Sequence, residues 1–161
     1  MCCVTLSSSA LRRAFMAAAI GWAALLPAAA FARSRPALTP LAHAAVLVYG
    51  FGSVICHQIP ARSFHLWAAP LPVCARCTGI YLGAALAAIY AAAIGANWRA
   101  ARGGAPTRVL LAFAAFPTLV TLVYEWTTGV TPSNLLRAVA ALSLGAAASA
   151  IVLASAADRV N

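Results

Sequence analysis

The chain has almost no acid: Glu125 and Asp158 are the two carboxylate side chains in 161 residues. It has no lysine, and its 11 basic residues are all arginine. Charged residues make up 8% of the chain, against about 25% in an ordinary soluble domain. So few charges cannot coat a globule of this size. A soluble enzyme, a disordered chain and a disulfide-rich secreted module are excluded on that ground. The five cysteines are an odd number, so they cannot all pair within one chain. There is no Gly-rich nucleotide loop and no basic run interleaved with aromatics. The net charge of +9 therefore does not point to nucleic acid.

What is present is apolar: 64% of residues are hydrophobic and the mean hydropathy is +0.91. The arginines lie mostly between long apolar runs, as cations flanking membrane spans do. The pattern predicts an all-α, multi-pass integral membrane bundle of four or five transmembrane helices, in contact with the lipid bilayer.

The first apolar run, 14–32, follows Arg12 and Arg13. It has the basic start and Ala-rich end of a signal peptide. It is longer than a usual signal core, so it reads as an uncleaved helix. A loop at 33–40 completes an N-terminal segment, 1–40, ahead of a membrane domain, 41–161. Residues 41–55 are either a barely sufficient span or a re-entrant segment. Residues 57–73 carry His57, Gln58, Pro60, Arg62, His65, Pro70 and Pro72 and read as an irregular surface loop.

Residues 78–97, 109–127 and 134–154 are the three clearest spans, and Ser133 is placed to cap the last. In the first of these, Gly79, Gly83, Ala87, Ala91 and Gly95 recur every four residues. Such a small-residue stripe lets another helix approach closely and permits self-association. Trp67, Trp98 and Trp126 fall near span ends as interfacial anchors; Trp22 does not. The arginines at 99, 102 and 108 form the densest short basic loop and are placed in the cytoplasm. Cys2 and Cys3 offer acylation sites.

Connectivity alone brings distant residues together. The chain leaves the Cys74/Cys77 end along one span and returns along the next. The 109–127 span carries Glu125 roughly 24 Å back towards the starting face at 1.5 Å per residue. Arg137 begins the last span. Cys74, Cys77, Glu125 and Arg137 are thus expected at one membrane face, with Glu125 paired to Arg137.

The chemistry is concentrated in Cys56-His57-Gln58-Ile59-Pro60-Ala61-Arg62-Ser63-Phe64-His65 and Pro72-Val73-Cys74-Ala75-Arg76-Cys77-Thr78-Gly79-Ile80-Tyr81. Cys74 and Cys77 form a Cys-x-x-Cys knuckle that can place two thiolates on one ion. Cys56, with His57 or His65, offers the remaining ligands, and one zinc ion suits this set best. A c-type haem is excluded because Thr78 follows Cys77. The same knuckle at a helix N-terminus, with Arg76 between the sulfurs, would also suit thiol–disulfide exchange. A plain structural disulfide stands beside both readings. Arg62, Arg76 and Arg137 outnumber Glu125 and would suit an ion pair, an anion or a lipid headgroup.

These segments resemble the signature of a family of small prokaryotic membrane proteins catalogued as domain of unknown function 2085. The resemblance runs from Cys56 to Gly83 and includes Cys-His-Gln, Pro-x-Arg-Ser-Phe and Pro-Val-Cys-Ala-Arg-Cys-Thr-Gly-Ile-Tyr-x-Gly. Ser133-Asn134 followed by Arg137 is similar to a later motif of the family. The resemblance implies a multi-pass protein of the prokaryotic inner membrane and brings no activity with it.

Overall fold

The computed structural model describes residues 8–35, 39–94 and 106–158. Among them are five α-helices: α1 (Ser8–Ser34), α2 (Thr39–Ile55), α3 (Ala75–Ile94), α4 (Thr107–Thr128) and α5 (Asn134–Asp158). The protein is an all-α membrane bundle. α1, α3, α4 and α5 are long and apolar enough to cross a membrane. α2 has 17 residues, or about 26 Å, which falls short of a hydrocarbon core of about 30 Å. Cys2, Cys3, Gly95, Trp98, Arg99 and Arg102 lie outside the described residues.

α1 begins ahead of the apolar run and takes Arg12 and Arg13 into the helix. Arg12 Nη2 donates to Ala91 O at 3.1 Å, which ties this end of α1 to α3. α4 ends where Gly129 turns left-handed, with φ 69°. Its N–H donates to Glu125 O at 3.1 Å, closing the helix. Ser133 caps α5 as expected: its Oγ accepts from Leu136 N at 3.3 Å and its carbonyl from Arg137 N at 3.1 Å.

The tightest packing is α3 against α5. A Cβ added at Gly79 would stand 2.1 Å from Ala138 O, and one at Gly83 2.1 Å from Leu142 O. From the other side, a Cβ at Gly145 would stand 1.9 Å from Ile80 O. The two backbones therefore touch, which in lipid is a main source of helix affinity. Further along, Ala91 packs with Ala150 and Leu153. The small-residue stripe is thus filled by a helix of the same chain. This corrects the self-association reading for Gly79, Gly83, Ala87 and Ala91, which are buried within the protein. α4 joins the pair through two polar rungs. Thr118 Oγ1 donates to Ala140 O at 2.9 Å, and Ser143 Oγ to Ala114 O at 2.7 Å.

The segment between α2 and α3 is more ordered than an irregular loop. It holds a 3₁₀ turn (Pro60–Arg62) and a small hairpin of β1 (His65–Leu66) and β2 (Ala69–Pro70). Trp67 and Ala68 form the hairpin turn, both with positive φ (52° and 63°). That is the pairing geometry of a type I′ turn, here without the usual Asn-Gly.

Candidate functional site

Three structural devices fix the thiols. The first is Gln58, whose left-handed backbone (φ 47°) turns its side chain back into the protein. Its Nε2 donates to Tyr49 O at 2.6 Å and to Pro72 O at 2.7 Å. This clamps α2 to the segment between β2 and the knuckle. The Tyr49 hydroxyl donates to Pro70 O alongside. The second device is the start of α3. Cys74 O accepts from Thr78 N at 2.9 Å, so Cys74 stands at the mouth of the helix. The third is a bond between the two halves of the motif: Cys74 N–H donates to Cys56 Sγ at 3.1 Å. Backbone N–H donors of this kind favour sulfur carrying negative charge.

The Sγ atoms of Cys56, Cys74 and Cys77 all lie within 4.8 Å of one another. All three are free thiols; Cys56 is buried and the other two are half-buried. The neighbouring Cys77 thiol holds Cys74 well below the usual thiol range, at about 5. Burial opposes this; the Cys77 N–H, the Cys56 thiol and the Arg76 N–H reinforce it. The membrane side of the cluster is apolar: Leu26, Val73, Trp22 and Tyr81 pack around it. Trp22 stands edge-on to Phe51 at 5.0 Å and to Tyr81 at 5.9 Å between ring centres. Among the described residues its buried Nε1 meets no acceptor. Alone among the four tryptophans, Trp22 falls away from a span end, and that position is the sequence signal of its packing role here.

The two histidines do not join this group. His57 and His65 are both exposed. His57 lines the cavity beside the thiols, whereas His65 sits on β1 of the hairpin. Adjacency to Cys56 in the chain does not turn the His57 ring towards the same point.

Beside the sulfurs lies a cavity of about 360 Å³, lined by Cys56, Cys74, Cys77, Arg62, Arg76 and Arg137 among others. The predicted convergence on one face is realised through Glu125. Its Oε2 accepts from Arg76 Nη2 at 2.8 Å. Arg62 Nη2 lies 2.9 Å from Oε1, an ion contact without hydrogen-bond alignment, since Oε1 has no hydrogen-bond donor. Arg137 Nη2 is further off, at 3.9 Å from Oε2. The expected Glu125–Arg137 pair is therefore the longest of three contacts. Arg76 precedes Cys77 on α3, so its partner on α4 also anchors the knuckle. Asn134 completes the frame: its Nδ2 donates to Ser63 O at 3.1 Å, pinning the loop after Arg62 to the start of α5.

An uncharacterized protein of the archaeon Methanocaldococcus jannaschii is 50% identical over 38 residues, 24% of this chain and 24% of that protein. One from Methanothermobacter thermautotrophicus is 41% identical over 66 residues, 41% of this chain and 55% of that protein. The matched parts thus span about a quarter and about half of these relatives' lengths. No solved structure matches the chain. The family described as "Predicted membrane protein (DUF2085)" matches residues 56–151, from the first cysteine of the cluster through most of α5, and the chain belongs to that family.

Proposed function

We propose that this is a metal-binding protein of the prokaryotic inner membrane, with Cys56, Cys74 and Cys77 holding one thiophilic ion at one membrane face. The observation that carries the reading is the approach of three free sulfurs to within 4.8 Å of one another. Tetrahedral zinc thiolates, with Zn–S of about 2.3 Å, place their sulfurs about 3.8 Å apart, so the cluster would draw in by up to about 1 Å on binding. The N–H bond to Cys56 and the depressed proton affinity of Cys74 both favour the thiolate that a metal requires. Zinc suits the donor set, and a fourth ligand would come from the cavity side, whose wall includes His57.

The test is elemental analysis of detergent-purified protein beside the Cys74→Ser/Cys77→Ser variant. One ion per chain in the wild type, lost in the variant, is the expected result. Metal-free wild type would overturn the proposal.

A second reading is favoured by one observation. Cys74 is a low-pKa thiol beside Cys77, with Cys56 as a third sulfur within reach. That arrangement suits a thiol–disulfide oxidoreductase. Thiol titration of metal-free, reduced protein before and after mild oxidation, and again after re-reduction with a dithiol, separates the two. A reversible loss of two thiols would mark the redox pair.

A further inference from the structure

The arginine cage holds more positive charge than the ion pairs consume. Three guanidinium groups, from Arg62, Arg76 and Arg137, surround the single carboxylate of Glu125. A divalent ion on three thiolates would add one net negative charge next door. One unit of positive charge would still be left over.

The surplus is concentrated in an unusual place. Arg137 is 2% exposed, and among the described residues its buried Nε and Nη1 meet no hydrogen-bond acceptor. Arg76 Nε is buried and unpartnered as well. Unmet donors on a buried cation are costly, and far more so than a surface arginine left to water. All three arginines line the same cavity of about 360 Å³, which is large enough for a small anion and its water. The lining draws Arg76 and Cys77 from the first turn of α3 and Arg137 from the first turn of α5, near the positive dipole ends of both helices. Planar guanidinium forks match tetrahedral and planar oxyanions rather than halide.

We infer that the cavity is a binding site for a phosphate-type oxyanion, held by Arg62, Arg76 and Arg137 beside the sulfur cluster. The chemistry is the same for free phosphate and for the phosphate of a lipid headgroup. The site is built on the arginines and does not depend on metal in the thiols.

The experiment uses full-length protein in an uncharged maltoside detergent. Thermal unfolding is followed while inorganic phosphate replaces chloride at constant ionic strength, in both as-purified and chelator-stripped samples. Saturable stabilisation by phosphate is expected in both. Arg62→Gln, at the open edge of the cage, should weaken the apparent affinity about tenfold or more. Arg137→Lys serves as the second variant, since it keeps the buried charge but loses the fork. The same titration is repeated in nanodiscs of phosphatidylcholine with and without phosphatidylglycerol. Suppression of the phosphate effect by phosphatidylglycerol assigns the site to a lipid headgroup. An unchanged effect assigns it to free anion. Equal stabilisation by chloride and phosphate in the wild type, or full retention of the phosphate effect in both variants, overturns the inference. Metal content measured on the same samples keeps the two proposals apart. Metal without a phosphate response defeats only this one, and a phosphate response without metal defeats only the other.

Discussion

Cys74 owes its low proton affinity first to the Cys77 thiol and only then to the helix backbone. Two outcomes follow for a metal-stripped Cys2→Ser/Cys3→Ser background. Alkylation of Cys74 should keep its neutral-pH rate as the pH is lowered and fall off only near about 5. Below that value the sulfur is protonated; above it the thiolate persists. Cys77→Ala should move the fall-off upward towards the ordinary thiol range, and an unmoved profile would exclude Cys77 as the cause. A second residue-scale prediction concerns the hairpin. Ala68 adopts φ 63°, a conformation that disfavours any Cβ. Ala68→Gly is expected to stabilise the protein by about 0.5–1 kcal/mol, read as a raised midpoint of thermal unfolding in detergent. At this scale the cysteines were legible, because the Cys-x-x-Cys spacing is a local property. The roles of Gln58 and Trp22 were not. Gln58 acts through a backbone reversal that brings two distant carbonyls to its amide. Trp22 acts through the rotation of α1 against α3, which no local spacing encodes.

Helix identity came through well because apolar length and end signals are properties of single segments: Ser133 and the three late spans were readable from their own residues. The partner of a helix is a property of pairs, so the stripe on α3 told only that something approaches closely. That partner is α5, whose Gly145 meets Ile80 from the other side. Gly83→Ala should therefore push Leu142 away and cost about 1–3 kcal/mol. Gly50 on α2 has nothing within 4 Å of an added Cβ. Gly50→Ala should be neutral or slightly stabilising, as alanine is the better helix former. If unfolding in detergent shows equal effects for the two substitutions, the backbone contact between α3 and α5 is refuted.

At the scale of the molecule, one carboxylate joins three arginines that come from a loop and two helices. Glu125 is 7% exposed, and Glu125→Gln leaves those cations without a counter-charge. A loss of about 3–5 kcal/mol is expected, because breaking a buried ion pair strands its partner. In double-mutant cycles Glu125 should couple more strongly to Arg76, at 2.8 Å, than to Arg137, at 3.9 Å. The reverse order would reassign the pairing. Side-specific labelling should reach single cysteines placed in the loop at Arg62 and at Ser133 from one side and at Arg108 from the other. Reaching all three from the same side would break the arrangement. The shared face was readable from helix lengths and chain reversal. The exclusion of the histidines from the sulfur group was not, since ring orientation depends on the folded loop. The packing of α5 against α3 also sets an order of events during synthesis. α3 emerges from the ribosome with Arg76 and its glycine face well before α4 brings the carboxylate and α5 brings the facing backbone. Until α5 is made, the nascent chain holds an unneutralised cation and an open groove towards lipid, so the cage is completed only after α5 has followed α3 and α4.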